Sequence, residues 1–417
     1  QAVGFISAFA LSYYFSPEDF GVYGFVLQII GILTFFSDIG LAAALVQKKD
    51  EPSVSDYRTV FTVQQALSWL IVAIVGVVLM TGIVQEKTGE AGQWILIALA
   101  LSFPLATLKT IPSILLERKL AFSRLVVPQI FEQLVFHGIL IFMAIQGSGA
   151  IAYAYAIIVR SVVGAIVMLS LQSWDFGVSL DATSLRILLG FGVKFQLNDF
   201  LARIKDQLFY LFLAFVLPIK EFGYIQWAKN WSMYPYNLTV QNVLAITFPT
   251  FSRLQHNQQA LKRAIEKSLF FITIVLFPII VGMSVFITPF ISLVPAWLKW
   301  SPAVPSLIFF CASIAWGAIS TPLTNTLNAI GQINTTLKLM IMWTLLTWLI
   351  TPLGIYFFGF NGVSMAAVAI SFTSVLSIYY VKKYVPISWL EQVSTQFWAS
   401  VCMTGVGIFG MSYWSQS

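Results

Sequence analysis

"SPEDFGVYGF" (Ser16–Phe25) and "PIKEFGYIQW" (Pro218–Trp227) say nearly the same thing half a chain apart. Aligned without gaps, Asp19 meets Glu221, Phe20 meets Phe222 and Gly21 meets Gly223. Each copy stands in a short turn between two apolar runs. The number of runs separating them decides the fold: an even number makes the two halves parallel, an odd number inverts one of them.

Composition says what those runs are. Of 417 residues, 58% are hydrophobic and only 10% charged, against about 25% charged in soluble domains. Apolar stretches of about 20 residues, enough to cross a bilayer core, recur throughout. Their punctuation gives about thirteen: 1–15, 20–47, 60–84, 93–116, 127–146, 150–171, 187–217, 221–248, 268–290, 304–328, 337–358, 361–381 and 389–413. Lipid satisfies no backbone polar group, and no barrel-like alternation is present, so the spans are expected to be helices. The fold class is an all-α membrane protein.

The first copy of the phrase lies between runs one and two, the second between runs seven and eight. Six runs separate them, so the repeat is parallel. The expected organisation is an N-terminal lobe over 1–171, a linker over 172–186, a C-terminal lobe over 187–381 and an additional helix over 389–413. "TIPSILLERKLAFSRL" (110–125) and "TPLTNTLNAIGQINTTLKL" (321–339) form a looser second echo. Run 1–15 is short for a span, and we expect its helix to begin before Gln1.

Lys and Arg in the connections set the orientation. One alternate set of loops holds Lys48, Lys49, Arg58, Arg118, Lys119, Arg124, Arg186, Arg253, Lys262, Arg263, Lys267, Lys338, Lys382 and Lys383; the other holds Lys87, Lys220 and Lys299. The first set, and the N-terminus with it, is expected on the cytoplasmic side. "SRLQHNQQALKRAIEK" (252–267) reads as a basic amphipathic helix on the inner leaflet or as a solvated loop.

Nothing points to an enzyme. No outer loop is large enough for a catalytic domain. Cys311 and Cys402 lie in apolar runs, two histidines and two cysteines make no metal cluster, and no nucleotide-binding loop is present. Neither a cofactor nor a nucleic-acid partner is expected.

Ionisable groups inside the spans are costly and mark cavities or ion pairs. They are Lys109, Arg160, Lys194, Arg203, Lys205 and Lys229 against Asp38, Glu132, Asp199 and Asp206, with His137 in addition. Such a cationic excess suits an anionic cargo, since Arg and Lys grip phosphate. On the seventh run Lys194, Asn198 and Lys205 fall within about 40° of one another. Asp199, Arg203 and Asp206 form a second stripe, which reads as a salt-bridge ladder. Arg160 needs an acid such as Glu132 or Asp38, or a wet cavity. Lys109, beside Pro104 and Pro112, either lines an inner gate or snorkels. Lys229 lies among Trp227, Trp231, Tyr234 and Tyr236, which form an interfacial belt or stack on sugars. His137 is five residues from Glu132, a poor spacing for a relay, and reads as a buried hydrogen-bonded histidine.

"SPEDFGVYGFVLQIIGILTFFSDIGLAAALVQKK" (16–49), "IPSILLERKLAFSRL" (111–125), the stretch 248–310 that opens "FPTFSRLQHNQQALKRAIEKS", "LNAIGQINTTLKL" (327–339) and "FGFNGVSMAAVAI" (358–370) together resemble Wzx-type polysaccharide flippases, in their colanic-acid exporter-like branch. "SLVPAWLKW" (292–300) departs from a glycine-containing turn frequent in that family. The resemblance implies a MATE/MOP-like fold of two six-helix lobes with one or two further helices. It also implies transport of undecaprenyl-diphosphate-linked oligosaccharide across the bacterial cytoplasmic membrane by alternating access, coupled to H+ or Na+. The substrate-binding candidates are then Arg160, Lys194, Lys205, Lys109, Asn198 and Lys229; Asp38, Glu132, Asp199, Arg203 and Asp206 are coupling or structural ion-pair candidates. A cation-coupled multidrug exporter and a lipid II flippase are the alternatives on the same fold.

Overall fold

The computed structural model describes residues 2–48 and 50–414; the side chains of Ala2, 191–205 and 412–414 lie outside that description. Every described element is helical. In chain order they are α1 (Ala2–Tyr14), α2 (Pro17–Thr34), α3 (Leu41–Gln47), α4 (Val54–Met80), α5 (Ile83–Arg118), α6 (Phe122–Ile145), α7 (Ile151–Leu171), α8 (Ala182–Val216), α9 (Ile219–Tyr236), α10 (Asn242–Leu254), α11 (Gln258–Leu293), α12 (Val304–Ala329), α13 (Ile333–Phe358), α14 (Gly362–Phe372), α15 (Val375–Tyr384) and α16 (Trp389–Trp414).

Each apolar run of the sequence falls on one of these helices or on consecutive ones. Among the described residues, seven stretches are long and apolar enough to cross a membrane: Val54–Met80, Ile83–Arg118, Phe122–Ile145, Ile151–Leu171, Gln258–Leu293, Pro295–Ala329 and Ile333–Tyr384. This is a multi-pass membrane protein.

Helix starts follow from local chemistry. Ser16 caps α2 and closes a capping box with Asp19, with Pro17 in the first helical turn; Ser53 and Asp56 do the same for α4. Each box satisfies amide donors that a helix N-terminus leaves open. Asp181 caps α8, and Ser184's hydroxyl and Thr183's amide hold its carboxyl below the usual range. Helix ends are served by cations. Arg118 donates to the carbonyls of Leu45, Val46 and Lys48 at the end of α3, at 2.9, 3.1 and 2.9 Å. Lys87 donates to the Phe215 carbonyl at the end of α8, at 2.7 Å. Positive charge at a helix C-terminus also meets the negative end of its dipole.

Two expected elements differ. Run 20–47 is not one helix: it breaks at 35–40, where Gly40 takes a φ of 81° and Asp38 accepts the amides of Leu41 and Ala42 to start α3. Stretch 252–267 is not a separate helix: after a turn at 255–257 it opens α11, with Arg263 and Lys267 exposed. Asn257 caps α11, whose first turns carry Lys262, Arg263 and Lys267 straight into the membrane-crossing part. Leu261, Ile265 and Leu269, spaced by four on that helix, are buried, so the apolar face packs against protein instead of lipid.

The chain divides into two compact units, Gln1–Gly223 and Tyr224–Ser417. In the first, α5 packs against α4, α7 and α2, α6 against α7 and α1, and α8 against α2 and α3. In the second, α11 packs on α12 and α16, and α14 on α12 and α13. The contact division thus falls within α9, later in the chain than the linker expected over 172–186, whose last five residues are the first of α8. The linker itself is pinned to α4: the Ser179 and Asp181 amides donate to Thr62 and Thr59 at 3.2 and 3.1 Å, and Arg58 donates to the Asp175 carbonyl at 3.2 Å.

The repeated phrase explains itself in the first unit. A Cβ on Gly21 would overlap the carbonyl of Ile219, and one on Gly223 would overlap the carbonyl of Pro17. In the alignment Pro17 corresponds to Ile219 and Gly21 to Gly223, so the two contacts are the same contact made reciprocally. Glu18 pairs with its own counterpart, Lys220, at 3.2 Å. The two copies lie against each other, with each glycine admitting the other copy's backbone.

Candidate substrate cavity

A cavity of about 640 Å³ opens within the first unit among α3, α4, α5 and the α2–α3 break. Its wall includes Asp38, Gln64, Thr107, Lys109, Thr110, Ser113 and Glu117. The volume falls within the usual range for small-molecule sites. It lies toward the end of α5 that carries Arg118. The second unit has a cavity of about 570 Å³ among α11, α12 and α16 whose lining holds no charged side chain. The polar cavity is therefore the better candidate for a charged cargo.

Lys109 is the cation of this wall, and it is engaged. Its ammonium pairs with Glu132 of α6, whose carboxylate lies against α7 where a Cβ on Gly164 would overlap it. Arg160, one turn before Gly164 on α7, sits with its guanidinium 4.7 Å from the centroid of the Phe136 ring. The two contacts are registered: position 132 meets 164 and position 136 meets 160, as two antiparallel helices require. Arg160 has no carboxylate within 4 Å among the described residues, so of the two alternatives, an acid or a wet cavity, the acid is not the one found; a cation–π contact holds the guanidinium. Asp38 is likewise in no ion pair among the described residues. Its Oδ1 accepts two amides of α3, at 2.9 and 3.4 Å, a favourable place for negative charge.

The described wall is consequently not the net-positive surface the sequence suggests. Asp38 and Glu117 are acidic, and Lys109 is balanced by Glu132. Sequence reading missed Glu117, which shares a face with Lys109 and Ser113 at intervals of four. It also missed Gln64, a polar residue in an apolar run whose buried amide oxygen has no hydrogen-bond partner.

Lys194, Asn198, Asp199, Arg203 and Lys205 lie on α8, and their side chains fall outside the described residues. Asp206 is exposed, and Lys229 is half-buried on α9; neither lines this cavity, and neither is without a partner. His137 and Gln133 approach at 3.1 Å between Nε2 and Oε1, away from Glu132. Of the aromatics around Lys229, Trp227 belongs to the core, while Trp231, Tyr234 and Tyr236 are half-buried. Trp227 is fully buried and stacks on Trp300 with ring centroids 4.8 Å apart and planes 8° apart; Trp297 meets it edge-on at 6.1 Å. Tyr236 shares a 3.0 Å hydrogen bond with Thr321. Trp227 therefore has no face left for a sugar, and the divergent "SLVPAWLKW" supplies two of the rings that enclose it.

An all-helical, multi-pass chain with a polar cavity inside one unit has the build a membrane transport protein needs. The comparisons agree with that class. Residues 11–305 match the family model described as "Polysaccharide biosynthesis protein", and the chain belongs to that family. It is 22% identical over 390 residues to the lipopolysaccharide biosynthesis protein WzxC of Escherichia coli (strain K12), covering 91% of this chain and 77% of that one. It is 22% identical over 306 residues to the succinoglycan biosynthesis transport protein ExoT of Rhizobium meliloti (strain 1021), covering 73% and 61%. Its fold is similar to the lipid II flippase MurJ, with a TM-score of 0.73, 14% identity and coverage of 100% and 97%. It is also similar to a multidrug resistance MATE transporter of the MOP superfamily, with a TM-score of 0.69, 13% identity and coverage of 92% and 95%. Of these proteins, ExoT is named a transport protein, MurJ a flippase and the MATE protein a transporter.

Proposed function

We propose that this chain is a flippase that moves undecaprenyl-diphosphate-linked oligosaccharide across the bacterial cytoplasmic membrane by alternating access, for surface polysaccharide biosynthesis. The observation that carries the reading is the polar cavity with Lys109 in its wall, set in a chain of the polysaccharide biosynthesis family. The diphosphate and first sugar fit its volume; the prenyl tail stays in lipid. The parallel repeat of 1–171 and 187–381 supplies the two lobes, and H+ or Na+ supplies the driving force. The basic loops put the N-terminus in the cytoplasm.

Charge-assisted contacts are worth about 1.5–3 kcal/mol, or roughly ten- to a hundredfold in binding. Lys109→Gln is therefore expected to lower surface polysaccharide at least about tenfold in cells that depend on this chain, at unchanged protein level in the membrane. Normal polysaccharide in that variant would remove Lys109 from the substrate site. A second reading, a cation-coupled multidrug exporter, draws on the acidic Asp38 and Glu117 of the same wall. Dye efflux that rises with expression of this chain, with no change in polysaccharide, would favour it.

A further inference from the structure

The cavity's cation is occupied by the protein itself. Lys109 extends from α5 and meets Glu132 on α6, while the acids Asp38 and Glu117 share the wall. At rest the cavity offers an anion no unsatisfied positive charge among its described lining residues. An anionic headgroup gains Lys109 only by displacing a carboxylate.

The surroundings fit such an exchange. The pair is neither sealed nor free: the Lys109 and Glu132 side chains are 21% and 23% exposed. Glu132 has another cation within reach, since Arg160 lies one helical turn from the glycine that Glu132 touches, a rise of about 5–6 Å. A second polar group waits in the wall, for Gln64 is 2% exposed with its amide oxygen unpaired. That oxygen is an acceptor, so the group that relieves its cost is a donor such as a sugar hydroxyl beside the diphosphate, not the diphosphate itself.

We infer that Glu132 is an internal competitor for the substrate's diphosphate, a positioning residue that holds Lys109 when the cavity is empty and takes it back when the cargo leaves. This rests on the flippase reading above. Binding breaks the Lys109–Glu132 pair and forms a Lys109–phosphate pair, leaving Glu132 to Arg160; release reverses both steps. A transporter must let go of what it binds, and a carboxylate fixed beside the site lowers affinity by the free energy of the pair it reforms. The substrate's double negative charge is what allows it to win, so the device also selects against weaker anions.

The test measures binding of geranylgeranyl diphosphate to the purified full chain in detergent, together with export in cells. Relative to the wild type, Glu132→Gln is expected to bind it at least fivefold more tightly and to export more slowly. Glu132→Asp should fall between the two. Lys109→Gln should bind at least tenfold more weakly, and the exchange K109E/E132K, which keeps an ion pair but moves the cation out of the wall, should also bind weakly while melting like the wild type. A merely structural role for Glu132 predicts lower thermal stability and no gain in affinity. Unchanged affinity in Glu132→Gln with weak binding in Lys109→Gln overturns the competitor and leaves the cavity as the diphosphate site. Equal affinity in all variants overturns both.

Discussion

Alanine at Gly21 or Gly223 should cost about 3 kcal/mol or more, the upper end of the usual range for forcing extra atoms into packed structure. The reason is what the new methyl meets. At Gly21 it overlaps the Ile219 carbonyl, and at Gly223 the Pro17 carbonyl. A side chain could rotate aside; a backbone carbonyl at the start of a helix cannot move without moving the helix. Close backbone approach through small residues is a general device of membrane helices, where hydrophobic transfer gives little drive for association. Because the two contacts are reciprocal, the double variant should lose less than the sum of the singles: the first substitution already parts the surfaces. Melting temperature and monodisperse yield in detergent would measure this, with Gly76→Ala as the control, since a Cβ there meets nothing within 4 Å. Glycine variants that behave like Gly76→Ala would mean the two phrases do not touch.

Trp227→Ala should be comparably severe, at about 3–5 kcal/mol. The indole is fully buried, stacked on Trp300 and edge-on to Trp297. Its removal leaves a cavity walled by large, rigid rings that cannot collapse into it, so the loss is of dispersion contacts more than of transfer from water. Trp227→Phe should recover a good part of the stability. The same pair of variants separates packing from sugar recognition. A stability loss with no change in substrate affinity per folded molecule follows from the core position. Weakened substrate binding in a protein of wild-type stability would restore the sugar-stacking role.

Much of the fold could be read from residues because the bilayer imposes a simple rule: long apolar runs become helices. The caps Ser16, Ser53 and Asn257 could be read for a similar reason, since they act within four residues of themselves. What could not be read depends on distant partners. Arg118 and Lys87 look like loop charges that report membrane orientation, yet each serves the carbonyls ending a helix elsewhere in the chain. The apolar row Leu261, Ile265 and Leu269 gives an amphipathic pattern that fits a leaflet surface as well as a protein interior, and only the neighbours distinguish them. At the site, sequence listed Lys109, Glu132, Arg160 and Asp38 as charges needing company. For Arg160 it offered an acid or a wet cavity, because those are the usual company of a charge inside a span, and it had no way to foresee the Phe136 ring beside the guanidinium. Gln64 carried no signal beyond being polar in an apolar run.

The pinned linker has a practical consequence. By length and polarity, 172–186 is the obvious place to insert a reporter domain or a protease site between the two halves of the sequence. Two of its amides, however, those of Ser179 and Asp181, are already committed to Thr62 and Thr59, and Arg58 grips the carbonyl of Asp175. Insertions succeed where backbone is unbonded and exposed, so a fusion here would have to peel the strap from α4 before it could be accommodated. Tags intended to leave transport intact belong elsewhere on the chain.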